Sequence, residues 1–410
     1  MQPKTGGSTL FTNIGELTSN IPDAPDVVHD AALVVEHGRI AWLGEHRDAP
    51  AADRRLDVEG RALLPGWVDS HTHLVFGGDR TAEFTARMSG EPYEAGGIHS
   101  TVRATRAASD AQLRSNLQRL VTEARSGGTT TIETKTGYGL SVQEELRAAQ
   151  IARSAVDSIT LLGAHVVPEG AEPGAYVELV AGPMMEGLAG AVDAVDVFCE
   201  RGAFDEHQTR AILRAAQAHG LPIHVHANQL GEGPGVALGI EFAAHSVDHL
   251  NFLSRDDIAA LAESWVGERG SVATVLPACD LSTRMPLAPA RELLDAGARL
   301  AIASNCNPGS SYTTSMAFCV ATAVLQMRLT VAEAIRAATL GGAIALGLDT
   351  ARDDRPAVGH FELGASADLH LLEAPSATHL AYRPGVPLTA AVWKAGELVH
   401  STSPRWGETR

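Results

Sequence analysis

The chain has 410 residues, 45% of them hydrophobic and 20% charged, a composition that supports a large buried core. A formal net charge of −17 at pH 7 argues against non-specific nucleic-acid binding and against docking on an anionic membrane. Every long apolar stretch is interrupted by charge, Gly or Pro, so no membrane span is expected, and Met1–Gly7 lacks the basic-then-apolar opening of a secretory signal.

Residues 1–63 read as short strands and turns. Ala32–Val35 and Ile40–Gly44 flank His37-Gly38-Arg39 as a hairpin would, and Asp57–Leu64 adds another strand and turn. This part is too small and loop-rich to bury much core, and it needs a partner. The middle of the chain alternates. Strand-like apolar runs fall at about 66–73, 129–135, 159–167, 192–200, 221–227, 245–250, 271–277 and 299–305. Most of the intervals read as helices. Residues 108–125 place Leu113, Leu117, Leu120, Val121 and Ala124 on one face, and Gly127 stops them. Ser141–Glu144 is a capping box, Asp205–Gln208 opens a helix that Gly220 ends, and Thr330–Glu333 caps a late one. Eight strand candidates over about 280 residues is the arithmetic of a (β/α)8 barrel. No phosphate-binding glycine fingerprint supports the competing doubly wound sheet. After Gly347 short strands return at 367–372, 390–394 and 397–400, punctuated by Pro356, Pro375, Pro384 and Pro387. The predicted class is therefore α/β: a (β/α)8 TIM barrel at 64–350, and a small β-sandwich domain made from both chain ends, 1–63 and 351–410.

A barrel of this kind builds its active site at the C-terminal ends of its strands. Those ends carry His71 and His73, then Glu133 and Lys135 with Tyr138 beyond, then His165, then Cys199 and Glu200, then His224 and His226, then Asp248 and His249, and finally Ser304 and Asn305. Six of the 17 histidines fall there, which scatter does not favour. In an extended chain residues i and i+2 share a face, so His71 and His73 project together as the start of a metal site. Of His224 and His226, one can ligate while the other is a satisfied interior histidine or points to the rim. Three imidazoles and an oxygen suit Zn²⁺ or Fe with one position open for water. Such an ion makes hydroxide available near neutral pH for hydrolysis of a C–N bond or similar. A binuclear version would need a bridging ligand, often a carbamylated lysine on the fourth strand, and Val195–Glu200 has no lysine, so one metal ion is the better expectation. Cys199, Cys279, Cys306 and Cys319 are widely spaced with no C-x-x-C pair, so neither a disulfide framework nor a thiolate zinc site is suggested, and a reducing cytoplasm is the simplest setting.

Several stretches resemble the amidohydrolase superfamily, and within it the imidazolonepropionases of histidine degradation. They are Asp69–Arg80, Ser100–Arg106, Lys135–Leu140, Leu162–His165, His226–Gln229, Ser246–Leu250 and Asn307–Ser311, which cover nearly the whole barrel in family order. His-x-His alone marks only the superfamily; Gly-Asp-Arg, Thr-Gly-Tyr-Gly and Asn-Pro-Gly-Ser-Ser are far more specific. The resemblance implies hydrolytic ring opening of 4-imidazolone-5-propanoate to N-formimidoyl-L-glutamate with one Zn²⁺ or Fe³⁺. It makes His71, His73 and His226 metal ligands, with Asn305 in the place of the fourth. Arg80 and Tyr138 hold the substrate, Arg80 through the propionate, and His165, Gln229, Asn307, Gly309 and Ser310 line the ring pocket. His249 polarises the reacting group. A small-molecule substrate, no nucleic-acid or membrane partner, a homodimer and a cytoplasmic setting go with it.

One departure bears on the chemistry. The family has Asp where this chain has Asn305, and Gln229 is also neutral, so both usual carboxylate bases are missing. A positioned base is commonly worth about 10²–10⁴ in rate. His249 or another group takes the base role, or the chain is a catalytically impaired substrate-binding form on the same scaffold. Another cyclic amidohydrolase or deaminase is the remaining alternative, and Arg80, Tyr138 and Asn307–Ser311 argue against it. Tyr93–Gly97 and the segment from Tyr138 to His165 are trimmed relative to the family, without loss of a motif.

Overall fold

The computed structural model describes residues 7–21, 25, 27–90, 97–267, 269–352 and 355–406. The opening Met1–Gly6 and residues 93–96 of the trimmed loop lie outside them. Two eight-stranded sheets organise the chain. The first contains β1 (Thr9–Thr18), β2 (Val27–Glu36), β3 (Arg39–Glu45), β4 (Arg54–Asp57) and β5 (Ala62–Pro65) from one end. It takes β14 (Leu369–Leu372), β15 (Thr389–Lys394) and β16 (Glu397–Ser401) from the other. The order is β16-β15-β14-β5-β1-β2-β3, with β4 pairing β1. The β2–β3 turn closes on His37 and Gly38, both left-handed at φ 50° and 74°, which matches the twist of the flanking strands. Phe11, Ile14, Leu33 and Leu63 share one core with Phe361, Leu369, Leu371 and Trp393, so the two ends complete each other. Phe11 meets Trp393 edge-on at 5.1 Å between ring centroids.

The second sheet is β6 (Trp67–Asp69), β7 (Thr129–Lys135), β8 (Ser158–Ala164), β9 (Ala194–Cys199), β10 (Ile223–Ala227), β11 (Ser246–His249), β12 (Val272–Val275) and β13 (Leu300–Ile302), parallel and in sequence order. Seven of them lie inside the predicted runs, and β8 starts one residue before its run, at Ser158. The ring closes where Asn305 N–H donates to His71 O and His73 N–H to Cys306 O, each at 2.9 Å. Only Gly66 separates β5 of the first sheet from β6 of the second. A Cβ there would stand 2.3 Å from the Thr130 side chain, so the joint needs glycine for close approach rather than for turning.

The helices follow their signals. Asp110–Ser126 buries Leu113, Leu117, Leu120, Val121 and Ala124, the predicted stripe, and is capped by Gly127. Each such side chain taken from water is worth about 1.5–3 kcal/mol for the larger residues. The boxes at Asp205/Gln208 and Thr330/Glu333 are reciprocal. The one at Ser141 is only half made: Ser141 accepts from Glu144 N–H, but the Glu144 carboxylate turns to Arg147 at 3.0 Å. An ion pair on the helix surface has displaced the return bond to the cap. Among the described residues no helix is long and apolar enough to cross a membrane.

Candidate metal centre and active site

The regular part of β6 ends at Asp69, yet the backbone runs on extended through His71-Thr72-His73. Thr72 ties it to both neighbours: its O accepts from Lys135 N–H at 2.7 Å, its N–H donates to Glu133 Oε2 at 3.1 Å, and it forms an isolated parallel bridge with Cys306. With the residue between them so held, the two histidines share one face. His71 Nε2 and His73 Nε2 stand 3.3 Å apart. His226, at the end of β10, brings its ring to 4.4 Å from that of His71 and 5.5 Å from that of His73, centroid to centroid. His249 is as close: ligating atoms of His71, His226 and His249 all lie within 4.8 Å of one another. His224, one pleat below His226, is a satisfied interior histidine, with Nδ1 2.8 Å from Ser246 Oγ.

Beneath the imidazoles lies a buried polar layer. Asp248 Oδ2 stands 2.7 Å from His71 Nδ1, and Asp196 Oδ2 2.9 Å from His226 Nδ1. Each carboxylate therefore takes the Nδ1 side of its ring and leaves the Nε2 lone pair facing the centre. Lys135 Nζ sits among the acids, 3.1 Å from Glu133 Oε1, 3.0 Å from Asp196 Oδ2 and 3.9 Å from Asp248 Oδ2. Burial pushes Glu133 up to about 7 and also raises Asp248, against the pull of the ammonium. Burial opposes the charge on Asp196 as well, but His226 and Lys135 outweigh it and hold that carboxyl well below its ordinary value. Burial first, and then the crowding of Lys135 and the other imidazoles, keep His71, His73 and His249 well below the usual histidine range. Neutral imidazoles converging around a point with carboxylates behind them are the donor set of a transition-metal site, and the residues fit such an ion.

Above this layer a pocket is lined by His73, His226 and His249 together with Arg80, Tyr138, His165, Gln229, Asn305, Asn307 and Ser310. Of the sequence-predicted residues, His71 lies below the pocket, fully buried, and Gly309 lies beside it. Arg80 is held by Glu83, with Nε 2.8 Å from Oε2 and Nη2 2.5 Å from Oε1. One edge of its fork is thus occupied by the protein itself, and Nη1 is the end that lies over Gly309. A Cβ on Gly309 would meet it at 2.1 Å, which is why glycine stands there. His165 donates from Nδ1 to Gly137 O at 3.0 Å, and its ring stacks on His73 at 5.5 Å. Burial, and then His226, push it down to about 3. Gln229 Nε2 stands 3.8 Å from Cys279 Sγ. Asn307 spends its amide on its own loop: Oδ1 accepts from Gly309 and Ser310 N–H, both at 2.8 Å, and Nδ2 donates to Asn305 O at 2.7 Å. It shapes the loop that the resemblance made a ring contact. His249 and Leu250 are both left-handed, at φ 78° and 64°, a conformation that costs energy and aims the imidazole at the centre.

Sequence reasoning gave no role to Asp196, Ile98, Phe198 or Glu145, and none to Lys135 beyond its place at a strand end. Ile98 and Phe198 are the apolar part of the pocket wall. Glu145 is fully buried and accepts from the N–H groups of Gly137, Gly139 and Leu140 at 2.7, 2.8 and 2.6 Å, which fixes the loop that carries Tyr138. A carboxylate on the apolar face of a helix, and another between Val195 and Val197 in a strand, were the available signals.

A parallel barrel with histidines at its strand ends, two of them backed by carboxylates, is the construction of a metal-dependent hydrolase. Residues 62–399 match the amidohydrolase family. Solved structures agree on the fold: an adenosine deaminase from Xanthomonas campestris with bound zinc (21% identical, TM-score 0.69, covering 95% of this chain and 92% of that one), and a triazine hydrolase variant (18% identical, TM-score 0.75, 96% and 95%). Two relatives are far nearer in sequence. The imidazolonepropionase of Paenarthrobacter aurescens is 60% identical, covering 97% of this chain and all of its own length, and that of Saccharopolyspora erythraea is 62% identical over 96% and 99%. The chain belongs to the imidazolonepropionase family of amidohydrolases.

Proposed function

We propose that the chain hydrolyses 4-imidazolone-5-propanoate, opening the ring at a C–N bond to give N-formimidoyl-L-glutamate. What carries this reading is the coincidence of near full-length 60% identity to an imidazolonepropionase with a single pocket in which Arg80, Tyr138, His165 and Gln229 meet the clustered imidazoles. His71, His73 and His226 would hold one Zn²⁺ or Fe³⁺, with Asn305 offering a neutral oxygen. When bound, such an ion lowers the pKa of water and supplies hydroxide near neutral pH.

The side chains then divide the remaining work. Arg80 Nη1 offers a charged donor to the propionate while Glu83 keeps the guanidinium in place. Tyr138 and His165 flank the ring, and Phe198 and Ile98 exclude water from it. His249 faces the reacting carbonyl and, being neutral, can hydrogen-bond to it or accept a proton. Neither Asn305 nor Gln229 can act as a base, so imidazole is the basic group left at the pocket. Kinship also supports a homodimer in the cytoplasm, measurable by sedimentation and by cell fractionation. The decisive experiment is hydrolysis of imidazolonepropionate by the purified chain with its metal counted. Turnover of this substrate is expected, and turnover of another cyclic amide with none of this one would overturn the assignment.

A further inference from the structure

A second group of ligating residues lies below the first. Atoms of Asp196, His226 and Asp248 also fall within 4.8 Å of one another. In a barrel that holds metals this would be the natural place for a second ion. It is already filled. Lys135 reaches in from β7 with a side chain that is fully buried, and its ammonium stands 3.0 Å from Asp196 Oδ2 and 3.9 Å from Asp248 Oδ2. Glu133 Oε1, from the same strand, completes the shell at 3.1 Å.

We propose that Lys135 is the resident second cation of the centre: its ammonium replaces a second metal ion and so makes the site mononuclear. Three arguments support it. First, three carboxylates in one buried layer need cationic compensation, and among the described residues Lys135 is the lysine or arginine paired with them. Second, Lys135, Asp196 and Asp248 come from the second, fourth and sixth strands of the barrel, and alternate strands contribute to one interior layer. They converge because the fold places them at one height, not because of any local sequence pattern. Third, the oxygens that face the ammonium are the ones that face the rings: Asp196 Oδ2 lies 2.9 Å from His226 Nδ1, and Asp248 Oδ2 2.7 Å from His71 Nδ1. The ammonium thus acts on the ligands through two carboxylates, as a positioning residue. A tightly held internal charge also has an advantage over an exchangeable ion, since it cannot be lost or replaced by the wrong metal.

The proposal rests on the metal reading above, and the test separates the two. The full chain and the variants Lys135→Ala and Lys135→Gln are loaded with Zn²⁺, dialysed, and analysed for zinc per chain, with folding followed by circular dichroism. One zinc in the unaltered chain is the expected baseline, and its absence would refute the metal reading itself. Two zinc ions per chain in either variant are expected if the ammonium replaces a metal. One zinc in both folded variants overturns the proposal. If neither variant folds without metal, refolding across a zinc titration replaces the count. Recovery at two equivalents supports the proposal, and no recovery at any zinc concentration overturns it.

Discussion

Asn305→Asp is the substitution that reports most directly on the chemistry. Position 305 is left-handed, at φ 51°, a region that Asn and Asp both tolerate, so the backbone need not move. The change keeps the oxygen that accepts from Asn307 Nδ2 at 3.1 Å and adds a negative charge and a basic site at the pocket wall. A positioned base is worth about 10²–10⁴, or about 2.7–5.4 kcal/mol of barrier. On the proposed reading an imidazole already supplies some of that, so the expected gain in kcat is at least about tenfold. The assay is steady-state hydrolysis of imidazolonepropionate at saturating substrate, with both proteins matched in metal content. An unchanged or lower kcat with equal metal would place the base elsewhere, and His249→Asn would then be expected to abolish turnover.

Other consequences follow from the same geometry. His226→Ala removes the ring that touches both His71 and His73, and metal per chain after dialysis should fall to near zero while the melting curve remains cooperative. Glu145→Gln replaces a carboxylate that accepts three backbone N–H groups with an amide that turns a donor toward them. The loss of about 1–3 kcal/mol should loosen the Tyr138 loop and raise KM about tenfold with a smaller effect on kcat; an unaltered KM would refute the link between Glu145 and Tyr138. Leu117→Ala empties part of the helix–barrel contact and should cost about 2–5 kcal/mol in denaturant unfolding. Asp280 gives a pH signature: its folded pKa of about 7 lies above its ordinary 3.8, so the native chain keeps a proton that the unfolded chain loses. Stability from this group is therefore fullest below about pH 4 and falls as pH rises to 7, by up to about 4 kcal/mol at about 1.36 kcal/mol per pH unit. The stability of the unaltered chain minus that of Asp280→Asn should decline over that window and flatten above it; a constant difference would refute the burial argument.

What could be read from the sequence, and what could not, divides along a physical line. All eight barrel strands were legible because buried parallel strands are continuous apolar runs between helices with their own periodicity and caps. His71 and His73 were legible because two residues on one extended segment need only local geometry to converge. The Arg80–Glu83 pair was not anticipated: the carboxylate lies a helical turn away and takes half of the fork that the resemblance assigned to the propionate. The polar layer was legible only in pieces: Glu133, Lys135 and Asp248 stood out as strand-end residues, but not their meeting. Lys135, Asp196 and Asp248 lie 61 and 52 residues apart along the chain, and Asp196 looks like an isolated charge inside an apolar run. Their meeting depends on strand register: His224 pairs with Asp196 and His226 with Asp248 across neighbouring strands, which sets the height of every side chain in the barrel. The same register separates His226, at the level of the imidazole cluster, from His224 one pleat below, a choice that the H-x-H spacing alone leaves open. A charge on an inward position of a barrel strand is costly unless it is compensated. Val195-Asp196-Val197 is therefore evidence in itself that a cation waits across the barrel, although only the fold can say that the cation is Lys135.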